Sequence, residues 1–111
     1  MTFEEAQEAL ARFRNERDWM QFHNPKDLAL SISLEAAELL ECFQWSGGDL
    51  TADKKIDQQK EELADVLITA LNMANVLGVD AGEIVASKIK KNSAKYPVDK
   101  ARGNARKYTE L

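Results

Sequence analysis

Two pairs of acidic residues stand three positions apart within apolar runs of the sequence. Glu35 and Glu38 lie in SLEAAELLECFQW (33–45), and Glu62 and Asp65 lie in EELADVLI (61–68). Because each residue advances about 100° around a helix, the two members of each pair lie about 60° apart on one face. Each pair lies at the edge of an apolar stripe, so two packed helices could bring four acids to one semi-buried seam.

Four carboxylates at one seam would repel each other unless a cation lay among them. A hard divalent cation such as Mg²⁺ takes oxygen ligands, whereas zinc prefers nitrogen or sulfur. Di-iron bundles use Glu-x-x-His pairs, and the only histidine, His23, is in no such motif. The alternative is that these acids are solvated helix residues paired with nearby lysines, because the ExxE spacing alone is common.

The apolar periodicity that must position these acids predicts four helices and no strand. A bundle of four helices, or a helical subunit that builds one with a partner, is the simplest architecture. The tail from Val98 onward is expected to be irregular. The first helix is predicted to start at a capping box of Thr2 and Glu5, and the second to run from Asn24-Pro25 to about Trp45, before Gly47-Gly48. The third is predicted to run from Thr51 or Asp53 to Gly78, and the fourth from Asp80, with Glu83, to Pro97.

Three of the predicted helices carry an apolar stripe that is expected to face the core. The stripes are Phe3, Ala6, Leu10 and Phe13 on the first helix; Leu28, Ile32, Ala36, Leu39 and Phe43 on the second; and Leu63, Val66, Leu67, Ala70, Ala74 and Leu77 on the third.

Composition indicates one globular domain over residues 1–111, with 44% hydrophobic and 31% charged residues. No apolar stretch approaches the roughly 20 residues that cross a membrane, and the acidic, amphipathic start is unlike a secretory signal. The single cysteine, Cys42, is expected to be a small buried hydrophobe in a reducing cytoplasm.

The charges are unevenly distributed along the chain. Residues 88–107 carry a local charge of +7, whereas the rest of the chain carries −11. This balance argues against binding a long nucleic acid, which calls for a broad basic surface. It suits a small polyanion held between a cation-loaded acidic site and a set of lysines.

Four segments in combination resemble the MazG-like nucleotide pyrophosphohydrolases, and among them the dCTP pyrophosphatase branch. They are RDWMQFHNPKDLALSISLEAAELLECFQW, EELADVLI, KIKKNSAKYP and ARKYTEL, and the resemblance runs from Arg12 to Leu111. It implies an all-α, four-helix MazG-like bundle completed by oligomerisation as a dimer or tetramer. It also implies a Mg²⁺-dependent enzyme, with Mn²⁺ as the alternative ion, that hydrolyses a nucleoside triphosphate to the monophosphate and pyrophosphate.

The resemblance assigns roles to individual residues of this chain. Glu35, Glu38, Glu62 and Asp65 would be the metal ligands and the catalytic carboxylates, with no basis for choosing which of them orients the attacking water. Lys88, Asn92 and Lys95, with Tyr96 beside them, would bind the phosphates. Lysines near a helix C-terminus also complement the helix dipole without any ligand.

Base recognition would involve Trp19, Phe22, His23 and Trp45, because aromatic rings give stacking area and polar groups read the base edge. Without the resemblance, the tryptophans would be core or interface residues and His23 a satisfied loop histidine. Thr69 departs from the aromatic residue that some dCTP pyrophosphatases carry after DVLI, which weakens a strict preference for dCTP.

The expected function is hydrolysis of dCTP or related deoxynucleoside triphosphates, for sanitation of the nucleotide pool, with no membrane or nucleic acid polymer as partner. One alternative is a related enzyme that acts on dUTP or a phosphoribosyl nucleotide. The other is a helical interaction module without enzymatic activity.

Overall fold

The computed structural model describes all 111 residues, which form helices, turns and loops and no strand. This confirms the predicted all-α class. The helices are α1 (Phe3–Glu16), α2 (Pro25–Glu41), α3 (Ile56–Leu77), α4 (Ala81–Lys95) and the short α5 (Val98–Ala101), with single 3₁₀ turns at Trp19–Phe22, Asp53–Lys55 and Tyr108–Glu110. The tail is therefore less irregular than expected, since it holds α5 and the last 3₁₀ turn.

The predicted capping signals form at four helix ends. The backbone N–H of Glu5 donates to Thr2 Oγ1 at 3.1 Å, and the N–H of Thr2 donates back to Glu5 Oε1 at 3.3 Å. The side chains of Asn24 and Asp80 accept N–H donors at 2.9 and 2.8 Å to start α2 and α4. Gly78 ends α3 in the left-handed conformation, at φ 69°, which a residue without Cβ adopts at little cost.

The prediction that the second helix runs to about Trp45 was wrong, because α2 ends at Glu41. Cys42 and Phe43 already donate to carbonyls three residues back, so the chain tightens into turns. Trp45 then adopts φ 66°, and this left-handed residue changes the direction of the chain before the glycine pair.

The start of the third helix also differs from the prediction. Neither Thr51 nor Asp53 caps it, since regular α-helix begins at Ile56 after the 3₁₀ turn and no side chain caps this end. Instead, the Asp49 carboxylate accepts the N–H groups of Thr51 and Ala52 at 3.2 and 3.1 Å. These bonds stabilise the connecting loop and also lower the pKa of Asp49.

The helices pack around a small core where α1, α3 and α4 meet. Leu71, Ala74 and Ala81 form its buried centre, and Ala6, Leu10 and Val79 pack against it. Buried Gln7 fastens this junction, because its amide donates to Asn75 Oδ1 and the Val79 carbonyl, each at 3.0 Å, and accepts the N–H of Ala81 at 2.9 Å. The most extensive helix pair, however, is α2 with α3.

The predicted core face of α3 lies largely on the outside of the chain. Its buried residues are Thr69, Leu71, Asn72 and Ala74, whereas Leu63, Leu67, Ala70 and Leu77 are exposed. The reason is that α3 turns its polar edge toward α2, which leaves the apolar stripe pointing away. Phe3, Phe13 and Ala36 are further predicted core residues that are exposed.

Exposed apolar surface continues onto α4, which packs mainly against α1. Ile84, Val85 and Ile89 are all exposed, Ile89 to 60%. The radius of gyration is 17.3 Å, against about 13 Å for a compact chain of 100 residues. One chain is thus an open arrangement with apolar faces left uncovered.

No single helix has both the length and the apolar character needed to cross a membrane. One pair, Asp53–Leu77 with Ala81–Lys95, meets that test when taken together, and the pair is bent by 99°.

Candidate functional site

Three of the four acids in the two pairs converge between α2 and α3, where the spacing allowed all four to meet. Glu35 on α2 and Glu62 and Asp65 on α3 each place one carboxylate oxygen within 4.8 Å of the others. Glu38 lies outside this trio, but it is close enough to Glu35 and Glu62 to act on both. We call these four residues the acidic seam.

The acidic seam has no compensating cation within the chain. The two ion pairs of the structure, Arg17–Glu16 and Lys26–Asp27, lie on the surface and involve none of its members. Nor does any lysine or arginine contribute to the shifted pKa values of Glu35 and Glu62. This excludes the alternative in which these acids pair with nearby lysines of the same chain.

Burial and mutual repulsion raise the pKa of two of the carboxyls. For Glu35, desolvation is the main cause, followed by the charge of Glu38 and then that of Asp65. For Glu62, desolvation again comes first, followed by the nearby carboxyl of Glu38. Both shifts mean that the fully ionised seam is unfavourable without a cation.

The donor atoms of the acidic seam fit a hard divalent cation. Glu35 Oε2 and Glu62 Oε2 are buried and have no hydrogen-bond partner. Buried acceptors without partners cost free energy, and a cation removes that cost. Oxygen-only ligands of this kind are those that Mg²⁺ and Ca²⁺ take.

Asn72 is a residue that the sequence analysis missed. Its Oδ1 is the third buried oxygen of the chain without a partner. Residues 62, 65, 69 and 72 follow each other at intervals of three or four, so Asn72 continues the stripe of Glu62 and Asp65. That spacing was the available signal. Thr69, between them, uses its hydroxyl to donate to the Asp65 carbonyl at 2.8 Å.

The residues expected to recognise the base are brought together only in part. The rings of Trp19 and His23 lie 6.2 Å apart, and Phe13 packs edge-on against Trp19 at 5.6 Å. Phe22, in the same 3₁₀ turn as Trp19, is largely exposed. Trp45 lies on the loop after α2, stacks on none of these rings and is 92% exposed.

His23 has a buried arginine as its partner, which the sequence analysis also missed. The Nε–H of Arg14 donates to His23 Nδ1 at 2.8 Å. Desolvation lowers the pKa of His23, and the charge of Arg14 lowers it further. Arg14 itself is only 3% exposed, and no carboxylate pairs with it.

The residues expected to bind phosphate lie on the exposed surface of α4. Lys88, Asn92 and Lys95 share one side of this helix, which we call the α4 cation face. Tyr96 forms the C-cap, and its ring packs edge-on against Tyr108 at 6.0 Å. Because α4 packs mainly against α1 and not against α2 or α3, the α4 cation face does not pack on the acidic seam within one chain.

Comparison with known proteins identifies the family. A model of the MazG-like family matches residues 30–111. The chain belongs to the MazG-like family. It is 41% identical to dCTP pyrophosphatase 1 of Mus musculus over 115 aligned residues, which cover 99% of this chain and 68% of the relative. The human dCTP pyrophosphatase 1 is 40% identical over the same coverage.

A solved structure agrees with these relatives. The chain resembles a pyrophosphatase from Archaeoglobus fulgidus DSM 4304 with a TM-score of 0.77 and 43% identity, over 85% of this chain and 91% of that one. The family, the MazG-like helical fold and the class of enzyme, a nucleotide pyrophosphohydrolase, are therefore as the sequence predicted.

Proposed function

We propose that this MazG-like chain hydrolyses deoxynucleoside triphosphates, with dCTP foremost, to the monophosphate and pyrophosphate in a Mg²⁺-dependent reaction. The observation that carries the proposal is the acidic seam, in which Glu35 and Glu62 present buried oxygens without partners. The relatives named dCTP pyrophosphatase support the choice of substrate.

Glu35, Glu62 and Asp65 would hold the ion, with Glu38 beside them. When bound, Mg²⁺ neutralises the triphosphate and lowers the pKa of coordinated water, and Mn²⁺ is the alternative ion. A carboxylate of the seam accepts the proton of the water that attacks the α–β anhydride.

The remaining predicted residues would bind the rest of the nucleotide. Lys88 and Lys95 act on phosphate oxygens as point charges. Trp19 and Trp45 offer rings for stacking, and His23 offers one polar edge. Thr69 stands where some dCTP pyrophosphatases carry an aromatic residue, which weakens a strict preference for dCTP, and dUTP is the alternative substrate.

The active form is proposed to be a homo-oligomer. Glu35 and its neighbours lie apart from the α4 cation face, and both α3 and α4 expose apolar residues such as Leu67 and Ile89. A second copy would cover these faces and supply cations to the acidic seam. Sedimentation is expected to show a dimer or tetramer, and a stable, fully active monomer would refute this part of the proposal.

The cellular role is proposed to be sanitation of the deoxynucleotide pool in the cytoplasm. Hydrolysis of excess or modified triphosphates is the role that fits a small enzyme acting on free nucleotides. The free, buried Cys42 is compatible with a reducing compartment.

The direct test is release of pyrophosphate from the common and several modified deoxynucleoside triphosphates, with Mg²⁺ and with a chelator. We expect turnover with Mg²⁺, dCTP among the best substrates, and none with the chelator. A helical module without activity would instead show no turnover and no Mg²⁺-dependent rise in Tm, since a ligand must stabilise the state it binds. If the enzyme preferred a phosphoribosyl nucleotide, the proposed substrate would be wrong but the proposed metal site would be unaffected.

A further inference from the structure

Arg14 is an unusual residue for the interior of a small helical protein. Arginine is rarely this buried unless a carboxylate pairs with it, because a charge out of water is costly. Here the guanidinium has no carboxylate partner, and its side chain donates a hydrogen bond to His23. Burying this cation against a neutral ring costs folding free energy, which suggests that the arrangement serves function and not stability.

The direction of this hydrogen bond fixes the proton of the imidazole. A guanidinium has five N–H donors and no acceptor, and it keeps its charge in proteins. His23 Nδ1, at 2.8 Å from Arg14 Nε, must therefore be the acceptor and carry no proton. The ring is then neutral, with its single proton on Nε2.

The surroundings of His23 reinforce this state. Arg14, from α1, is the charged group that acts on the imidazole, and it opposes a second positive charge there. Trp19, on the preceding turn, lies 6.2 Å away by ring centroids and contributes an apolar surface. No carboxylate faces the ring to favour the doubly protonated form.

We propose that Arg14 is a positioning residue that locks His23 as a neutral Nε2–H donor, so that this site selects a hydrogen-bond acceptor on the nucleotide base. This proposal rests on the proposed function for its substrate. The acceptor that carries the selectivity is the unprotonated ring nitrogen of cytosine, because cytosine and uracil share the ring carbonyl oxygen beside it. A base that presents an N–H donor at that place would leave two donors facing each other, which costs the free energy of an unpaired polar group.

The first experiment needs neither a variant nor a nucleotide. His23 is the only histidine in the chain, so its imidazole nitrogen chemical shifts can be read without assignment by mutagenesis. The full chain at neutral pH should show an unprotonated Nδ1 and a protonated Nε2, with titration below the ordinary imidazole pKa. A proton on Nδ1, or a charged ring at neutral pH, would overturn the proposal.

The second experiment asks whether the lock serves recognition. Arg14→Leu should abolish the single-tautomer signature and raise KM for dCTP about three- to tenfold, the worth of one hydrogen bond, with kcat nearly unchanged. Arg14→Lys, which keeps a charged donor, should restore both readouts in part. Arg12→Leu, the same change at an exposed position of α1, is the control and should alter neither.

The outcomes separate this proposal from the proposed function. A chain that hydrolyses no nucleotide but shows the expected tautomer would refute the function and, with it, the recognition step. A chain that hydrolyses dCTP with unchanged KM in Arg14→Leu, although the tautomer is lost, would refute the recognition step alone. If Arg14→Leu fails to fold, the tautomer of the parent chain and the KM of Arg14→Lys still decide the question.

Discussion

The acidic seam and the α4 cation face differ in how much of the site one chain can complete. The seam is assembled within a chain, because α2 and α3 form the most extensive helix pair and carry the acids on facing edges. The α4 cation face stays in solvent, because α4 packs mainly against α1 and exposes Ile84 and Ile89 as well. One chain therefore completes the acidic seam by its own fold, whereas it leaves the α4 cation face uncovered, as the proposed homo-oligomer requires.

The two halves also differ in electrostatic state. Burial, together with repulsion that nothing in the chain relieves, raises the pKa of Glu35 and Glu62 in the acidic seam. The lysines of α4 lie in water, where their charges cost little. Changes in the seam should therefore alter activity and stability together, while changes on α4 should alter substrate binding alone.

The largest effect is expected from Glu62→Gln, which keeps the shape of the side chain and removes one ligand charge. Loss of residues that merely support a metal ligand costs about 10- to 100-fold, so loss of a ligand should lower kcat/KM by at least about 100-fold. Without metal, the variant should be as stable as the parent or more so, because repulsion among the acids falls.

The adjacent Glu61→Gln is the matched control. Glu61 is exposed, lies outside the acidic seam and loses the same charge. Its pyrophosphate release and melting curve should match those of the parent. Equal activity losses in the two variants would show that charge on α3, and not ligation, is what matters.

The placement of each acidic pair on one helix face was predictable because it depends on local rules. The ExxE and ExxD spacing places each pair on one helix face, and the caps at Asn24 and Gly78 set the ends of α2 and α3. Which face packs inward is a tertiary choice that periodicity cannot decide for an open chain. The stripe with Leu63 and Leu67 was therefore predicted as core, although in one chain it faces outward.

The residues that were missed have a different cause. Arg14 was unremarkable as one of several charged residues on α1, and only the fold reveals that it is buried against His23. Asn72 is uncharged and so gives no metal-ligand signal of its own in the sequence, although it continues the stripe of Glu62 and Asp65. Polar residues become informative through their burial and their partners, which a single sequence does not display.

The next largest effect is expected from Lys88→Gln, which tests the α4 cation face. A hydrogen bond to a charged group is worth about 1.5–3 kcal/mol, so KM for the triphosphate should rise roughly tenfold or more. Stability should stay within about 0.5 kcal/mol of the parent, since the side chain is exposed. Steady-state kinetics and a melting curve provide both readouts.

Lys90→Gln is the control for this helix. This substitution removes the same charge from α4, but Lys90 lies about 160° around the helix from Lys88, at the usual 100° per residue. Its KM should be unchanged. A similar rise in both variants would assign the effect to the overall charge of α4, or to the helix dipole, and not to a phosphate contact.

A smaller effect concerns pH and metal in the acidic seam. Because the folded pKa values of Glu35 and Glu62 are raised, the folded state holds protons that the unfolded state releases. Proton binding by these two carboxyls therefore stabilises the folded state near their ordinary pKa of 4.5. This stabilisation is lost as the pH rises through the raised pKa values of the folded state. The proposed Mg²⁺ site needs ionised carboxyls, so the stabilisation by Mg²⁺ should grow over the same pH range.

Melting curves with a chelator and with Mg²⁺, from about pH 5 to 7.5, measure this difference. Mg²⁺ at ten times its Kd should stabilise by about 1.4 kcal/mol, or roughly 5–10 °C in Tm, at the upper pH. The rise should shrink toward pH 5. The His23 titration contributes equally to both curves and cancels in the difference. Sodium chloride at equal ionic strength should not reproduce the rise, and a rise that is independent of pH would contradict the account.

The smallest expected effect concerns Asn72, whose buried Oδ1 has no partner in the chain. Leaving a buried acceptor unpaired costs about 1–3 kcal/mol, so Asn72→Leu should stabilise the metal-free protein by about 1 kcal/mol. Asn75, one turn along α3, is the control because it donates to the Gln7 carbonyl and accepts from the Gln7 amide, each at 3.0 Å. Asn75→Leu should therefore destabilise the protein by a similar amount.

Denaturant unfolding of both variants measures this contrast in stability, and pyrophosphate release measures activity. If Oδ1 serves the acidic seam, Asn72→Leu should lose activity severalfold while gaining stability. Destabilisation by Asn72→Leu equal to that of the control would show instead that this oxygen is paired in the folded protein and that the seam ends at Asp65.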